Sequence, residues 1–185
     1  VGKRRAKQIS RPLDKLNRKG IEFICGNIEE IIPDRKTVRV SGREISGDAM
    51  IISLGATLAP ELIPGLSEAG RNIYTLDGAQ SIEQDLKSFT GGKVIVLTAA
   101  PAYKCPAAPY EAAMLVENYI RKHGLREKSK IDLYAAEPGP MLTAGPELSA
   151  AVRQVVESKG ITYHPTHQIT SVDSKTHKLT FSNGN

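Results

Sequence analysis

The chain has 185 residues, of which 40% are hydrophobic and 24% charged, a composition typical of a globular protein. Its apolar runs are far shorter than the roughly 18 residues of a membrane span, and two cysteines are too few for a disulfide scaffold. The net charge of +5 comes from one segment, because the first 19 residues carry +7 and the remainder carries −2. No aromatic residue lies among those basic residues, so we predict a solvated helix face and no nucleic-acid binding. Contact with an anionic surface is the alternative.

The first half of the chain is predicted to form a helix followed by short strands. Cys25 lies in an apolar stretch and is predicted to be a buried structural thiol. Pro33-Asp34 favours a turn between two strands. The predicted elements are helix 9–18, strands 22–25, 27–32, 37–40, 44–46, 49–53 and 73–74, and helix 79–88.

Gly91-Gly92 marks a predicted boundary, after which strands and helices alternate. Val94–Leu97 is a short apolar run of the kind that fills a buried parallel strand. Pro146 suits the first turn of a helix. The predicted elements are strand 94–97, helix 107–123, strand 130–135, helix 146–158, and strands 162–164, 168–173 and 178–181.

Residues 13–42 and 148–184 follow the same pattern. Each runs through a helix, Lys-Gly-Ile, strands on either side of a charged turn, and Asn-Gly or Ser-Gly. The pattern predicts two related domains in tandem, 1–90 and 91–185. The first has no strand before its helix, and the second stops before the counterpart of 49–53. We therefore expect both domains to be truncated and the chain to be an internal fragment of a longer protein.

The loop between strand 94–97 and the next helix carries the main chemical signal. A dinucleotide-binding fold places a glycine-rich phosphate turn at this point, but no glycine occurs from Lys93 to His123. The loop instead carries Cys105, next to Lys104 and just before a helix. A nearby cation and the positive end of a helix both favour a thiolate. The alternative is a small buried side chain at a loop–helix junction.

Two carboxylates near this loop are weaker candidates. Glu111 lies in the first turn of the helix, where it could transfer protons beside Cys105 or simply stabilise the helix terminus. Glu137 follows strand 130–135 at the position of a ribose-binding acid, but without the glycines we interpret it as a solvated acid. The four histidines show no ligand spacing, so we predict surface positions and no metal site. A Cys25–Cys105 disulfide is not expected.

Two motifs resemble the pyridine nucleotide–disulfide oxidoreductase superfamily. Ile51-Ile-Ser-Leu-Gly-Ala-Thr followed by Pro64-Gly-Leu is similar to a segment of its flavin domain. Lys104-Cys105-Pro-Ala-Ala-Pro-Tyr-Glu111 is similar to the active-site segment of sulfide:quinone oxidoreductases and flavocytochrome c sulfide dehydrogenases. The resemblance covers nearly the whole chain. It implies an α/β fold of tandem Rossmann-like half-domains with three-stranded β-meanders.

The resemblance also implies roles for individual residues. Cys105 would carry sulfane sulfur beside a flavin, Glu111 would accept a proton, and the turn Leu54-Gly55-Ala56 would lie against the cofactor. FAD would belong to the full-length protein, since the first domain lacks its glycine motif, and we expect the fragment alone to be inactive. The partner cysteine would lie outside this chain.

The implied activity is sulfide oxidation through a thiol–flavin relay to a quinone or a cytochrome. A cytoplasmic or peripheral membrane location follows from the resemblance, and the oligomeric state is left open. Three alternatives remain at this point. The first is an NADH:quinone oxidoreductase of the type II NADH dehydrogenase kind, and the second is a non-catalytic sulfur-binding module. The third is nucleic-acid binding through the basic residues 3–19.

Overall fold

A computed structural model describes residues 4–185, which form two compact units. Residues 5–57 form one unit, and residues 58–185 together with Arg4 form the other. Lys3 of the basic segment lies outside the described residues.

The division at residue 58 differs from the predicted domain boundary at residues 90 and 91. Residues 58–90 pack with the second unit because the apolar side chains of Ile82, Leu86 and Phe89 join its hydrophobic core. The relation of the two units as tandem copies of one domain stays a prediction.

The unit of residues 5–57 contains the predicted antiparallel meander. Its strands are β1 (Ile28–Ile32), β2 (Thr37–Val40) and β3 (Arg43–Ser46), in the order β1-β2-β3. Ser41 and Gly42, between β2 and β3, have φ values of 50° and 75°. Positive φ at both central residues is the requirement of the commonest two-residue hairpin turn, which fixes the register of this pair.

Three other elements predicted in this unit are wrong. Helix 9–18 is replaced by α1 (Ala6–Ile9) and a 3-10 helix (Leu13–Lys19), because Pro12 lacks an N–H and disfavours a helical residue before it. Strands 22–25 and 49–53 do not form. A strand needs a neighbour for its backbone N–H and C=O groups, and within residues 4–185 no strand pairs with either segment.

The unit of residues 58–185 is an α/β domain around a parallel sheet. The elements are α2 (Leu66–Ala69), α3 (Leu76–Ser88), β4 (Gly92–Leu97), α4 (Ala108–Lys122), β5 (Ser129–Tyr134), α5 (Pro146–Ser158), β6 (Thr162–His164), β7 (Ile169–Val172) and β8 (Leu179–Phe181). The parallel sheet has the strand order β4-β5-β6, with Leu97 opposite Tyr134 and Tyr134 opposite His164. A separate antiparallel pair, β7–β8, follows.

Most elements of this unit confirm the prediction, with one exception. The predicted strand 73–74 is part of the entry to α3, because the side-chain carbonyl of Asn72 accepts hydrogen bonds from the backbone N–H groups of Tyr74 and Thr75. Such an Asx turn is incompatible with an extended strand.

Strand β5 lies at the centre of the sheet and of the core. Ile131 and Leu133 are fully buried, and so are Ala113 and Ile120 of α4 and Val156 of α5. Since the strands are parallel, the carboxyl ends of β4 and β5 lie at the same edge of the sheet. The loops that follow them, 98–107 and 135–145, are therefore brought together there.

Candidate active site around Cys105

The loop between β4 and α4 presents Cys105 to solvent. The side chain is exposed, and the residue has φ of 53°. A left-handed conformation costs a residue other than glycine about 1–2 kcal/mol, so neighbouring contacts must hold it. The alternative of a small buried side chain at this position is wrong.

Tyr74 holds the loop from one side. Its hydroxyl group donates a hydrogen bond of 2.7 Å to the backbone carbonyl oxygen of Lys104. The Lys104 ammonium lies 5.8 Å from the centre of the Tyr74 ring, within the range of a cation–π contact. Burial, followed by the charges of Cys105 and Glu137, raises the pKa of Tyr74 above 10.0. The phenol therefore keeps its proton and remains a donor.

Glu137 holds the loop from the other side, and the prediction that it is solvated is wrong. It is 8% exposed, and its carboxylate accepts hydrogen bonds from three hydroxyl groups. Thr98 donates to one oxygen at 2.9 Å, while Tyr103 and Tyr110 both donate to the other at 2.6 Å. A buried charge is tolerated when hydrogen bonds replace the lost water, which these three donors do.

The two tyrosines are fixed as donors by the same environment. Burial is the first cause that raises the pKa of Tyr103 and of Tyr110 far above 10.0, and the hydrogen bond to Glu137 is the second. Burial and the hydrogen bond to Glu137 both oppose ionisation of the phenols, because an ionised phenol would place a second negative charge at hydrogen-bond distance from the carboxylate.

Glu111 lies in the first turn of α4 with its side chain exposed. The buried face of α4 carries Tyr110, Ala113 and Ile120. Among the described residues, no hydrogen bond joins the Glu111 side chain to Cys105. Its role in proton transfer stays a prediction.

The other candidates from the sequence are Cys25 and the four histidines. Cys25 is exposed, so its prediction as a buried thiol is wrong. His164 and His167 are half-buried against the ring of Tyr134, contrary to the predicted surface positions, while His123 and His177 are exposed. In the part of the chain that the structure describes, no group of three or more metal-binding side chains is found.

Comparison with known proteins shows the family to which the chain belongs. The profile of the pyridine nucleotide-disulphide oxidoreductase family matches residues 2–185. The chain belongs to the pyridine nucleotide-disulphide oxidoreductase family.

Known proteins that are similar to this chain include sulfide:quinone oxidoreductases. The chain is 26% identical over 166 residues to the mitochondrial sulfide:quinone oxidoreductase of Dictyostelium discoideum, covering 85% of this chain and 36% of that protein. It is 31% identical over 144 residues to a sulfide-quinone reductase of Aquifex aeolicus, covering 75% of this chain and 33% of that protein. The chain thus spans about a third of the length of these relatives.

The crystal structure of the Aquifex aeolicus sulfide:quinone oxidoreductase is similar in fold. It has a TM-score of 0.74 and 26% sequence identity, over 98% of this chain and 44% of that one. The similarity supports the predicted α/β class with a parallel sheet and a β-meander.

The second predicted family segment, Leu54-Gly55-Ala56, lies in the unit of residues 5–57. Gly55 has φ of 71°, and among residues 4–185, apart from Gly55 and its two chain neighbours, no atom lies within 4 Å of the position that a Cβ would take. Leu54 is 68% exposed, and Ile51 is 92% exposed. The segment is therefore an exposed apolar stretch without regular secondary structure, and its contact with a cofactor stays a prediction.

The loop of residues 98–107, which carries Cys105, is called the thiol loop. Sequence reasoning missed the role of the residues that hold it, namely Tyr74, Tyr103, Tyr110 and Glu137. Two signals could have found them. Tyr103 and Tyr110 flank Cys105 closely in the sequence, and Glu137 follows β5 at the edge of the sheet where the loop after β4 also emerges.

No helix of residues 4–185 has the length and apolar character needed to cross a bilayer.

Proposed function

We propose that the protein containing this chain is a flavin-dependent oxidoreductase that oxidises sulfide, with Cys105 as the residue that carries the sulfur. The observation that supports the proposal is the exposed thiol, held in a strained conformation at the position where a dinucleotide-binding fold has its phosphate turn. Strain of this kind collects at functional sites, because the surrounding contacts must be built to maintain it.

The chemistry at Cys105 is a thiol–disulfide exchange. When Cys105 forms one half of an S–S bond, hydrosulfide attacks a sulfur of that bond, a new S–S bond forms, and the old one breaks. The thiolate that leaves carries the electron pair of the broken bond. Glu111 is proposed as the acceptor of the proton that hydrosulfide brings, since an exposed carboxylate six residues further on can reach the same solvent region.

The exposed stretch Leu54–Ala56 is proposed to hold part of the cofactor. The exposed apolar side chain of Leu54 and the free space at the Cβ position of Gly55 would let a planar isoalloxazine ring approach the backbone. FAD, when bound, would supply the two-electron acceptor that the thiol chemistry requires.

The electrons are proposed to pass to a quinone. The name of each relative described above contains quinone as the acceptor, whereas the cytochrome that the resemblance also allowed has no such support. A quinone substrate would bring the intact protein to a membrane surface, which is part of the same proposal.

The test uses the intact natural protein that carries this chain. We expect it to reduce a soluble quinone analogue when sulfide is added, and we expect Cys105→Ser to lower that rate on the order of 1,000-fold, as for other covalent nucleophiles. Cys25→Ser is the matched control and should leave the rate unchanged, because the Cys25 side chain is exposed and has no role in the proposed reaction.

Three outcomes contradict the proposal. If Cys105→Ser retains the rate of the natural protein, Cys105 does not carry the sulfur. If NADH replaces sulfide as the electron donor, the type II NADH dehydrogenase alternative is correct. If the intact protein shows no flavin absorbance, the sulfur-binding module is correct.

A further inference from the structure

Glu137 joins the segments that surround Cys105 through the hydrogen bonds that its carboxylate accepts. We infer that Glu137 is a positioning residue that holds the thiol of Cys105 in its reactive place. The inference rests on the proposed function, since it concerns the rate of the reaction at Cys105.

The geometry around the carboxylate supports this role. Thr98 comes directly after β4, Tyr103 lies in the thiol loop, Tyr110 lies in the first turn of α4, and Glu137 itself follows β5. Tyr103 and Tyr110 stand on either side of Cys105 in the sequence and donate to the same carboxylate oxygen at 2.6 Å. Both ends of the segment that contains Cys105 are therefore fixed to one atom.

The thiol segment needs such a restraint because its backbone is strained. Cys105 has φ of 53°, a region that residues other than glycine seldom occupy. Its carbonyl oxygen accepts a hydrogen bond of 3.0 Å from the N–H of Ala108, which closes a turn into α4. If the two tyrosine hydroxyls were released, this local turn and the hydrogen bond from Tyr74 to the carbonyl oxygen of Lys104 would be left to hold the backbone at Cys105.

The carboxylate is also fixed from behind, so it is a rigid anchor. The hydroxyl oxygen of Thr98 accepts from the N–H of Ala136 at 2.8 Å while its proton is donated to Glu137. The backbone carbonyl oxygen of Glu137 accepts from the N–H of Thr166 at 3.1 Å. Hydrogen bonds to an ionised acceptor are about twice as strong as neutral ones, which favours a carboxylate over an amide here.

The same contacts explain why this acid is not available for the ribose of a dinucleotide. In nicotinamide-binding folds the acid after the second strand binds the ribose hydroxyls. Here three hydroxyls of the protein itself already occupy both oxygens, and the carboxylate is 8% exposed. The position thus serves the thiol loop.

The experiment compares substitutions in the intact protein, with sulfide-dependent quinone reduction as the assay. We expect Glu137→Ala to lower kcat about 100-fold with KM for sulfide unchanged, because a displacement of about 1 Å at the reacting atom has an effect of that size. Glu137→Gln keeps the shape and one acceptor oxygen, so it should recover most of the rate. Tyr103→Phe, which removes a single anchor, should lie between them.

Two matched substitutions serve as controls. Glu127→Gln removes the charge of an exposed glutamate, and Tyr119→Phe removes a hydroxyl from the far end of α4. Both should leave kcat unchanged. Hydrogen exchange of the 185-residue chain gives a readout that does not depend on activity, since Glu137→Ala should accelerate exchange in residues 103–108 while the strands stay protected.

The outcomes separate the inference from the proposed function. Loss of activity in Cys105→Ser together with an unchanged kcat in Glu137→Ala overturns the inference alone. A lower melting temperature for Glu137→Ala without any change of kcat would show a purely structural role and would also overturn it. Full activity in Cys105→Ser overturns the proposed function and the inference with it.

Discussion

Replacement of Cys105 by glycine should make the protein more stable while it removes the thiol. Cys105 has φ of 53°, where a side chain costs about 1–2 kcal/mol that glycine does not incur. Glycine adds about 0.5–1 kcal/mol of chain entropy to the unfolded state. The difference leaves a gain of about 0–1.5 kcal/mol for Cys105→Gly over Cys105→Ala.

Cys105→Ala is the proper reference because it also removes the sulfur but keeps the Cβ that causes the strain. The gain corresponds to a rise in Tm of up to about 6 °C for a chain of this size. Thermal unfolding followed by circular dichroism measures it. Ala79→Gly is the opposite control, since Ala79 lies in α3, where glycine costs about 1 kcal/mol.

The reasoning would be refuted if Cys105→Gly were less stable than Cys105→Ala by the amount seen for Ala79→Gly. In that case Cys105 would have an ordinary backbone conformation, and the loop would need no restraint. The expected result would instead show that the protein keeps a thiol at this position at the expense of stability.

Three further predictions concern the second unit. The pKa of Tyr110 is raised in the folded state, so the unfolded chain loses this proton first as the pH rises above about 10. The free energy of unfolding is therefore full below that pH and falls above it by up to about 1.4 kcal/mol per pH unit. Tyr110→Phe should reduce this slope in urea titrations between about pH 8 and 11. Gly65→Ala should lower the free energy of unfolding by more than about 2 kcal/mol, because the new Cβ would lie 1.8 Å from the carbonyl oxygen of Val172. Gly124 also has positive φ but lies in open space, so Gly124→Ala should cost about 1 kcal/mol. Equal Tm values for the two variants would contradict this prediction. Leu133→Ala should cost about 2–5 kcal/mol in urea unfolding, because Leu133 is fully buried in the central strand, and a cost below about 1 kcal/mol would mean that the core is loosely packed.

The prediction of the fold succeeded where the local pattern and the tertiary partner agree. Helix 146–158 was predicted with the bounds that the structure has, because Pro146 begins it and its apolar spacing is helical. The strands at 22–25 and 49–53 were predicted from equally apolar runs, yet they did not form. An apolar run specifies a strand only when a neighbouring strand accepts its hydrogen bonds.

The candidate site shows the same division. Cys105 was proposed from the sequence because a thiol in place of a glycine turn is a local signal, and its chemical role stays a prediction. Glu137 was misjudged as solvated, because nothing near it in the chain indicates that the hydroxyls of Tyr103 and Tyr110 will reach it. Those residues are 34 and 27 positions away, and only the parallel pairing of β4 and β5 brings them together.

The sequence by itself determined the α/β class, the thiol loop and the position of Cys105 before a helix, since all three follow from periodicity and residue type over short distances. Only the tertiary structure decided that the thiol is exposed, that its backbone is left-handed, and that a buried carboxylate holds its loop. The physical reason is that burial and hydrogen-bond partners depend on which segments meet in space. Here the sheet brings the ends of β4 and β5 to one edge, where three hydroxyls can satisfy a single charge.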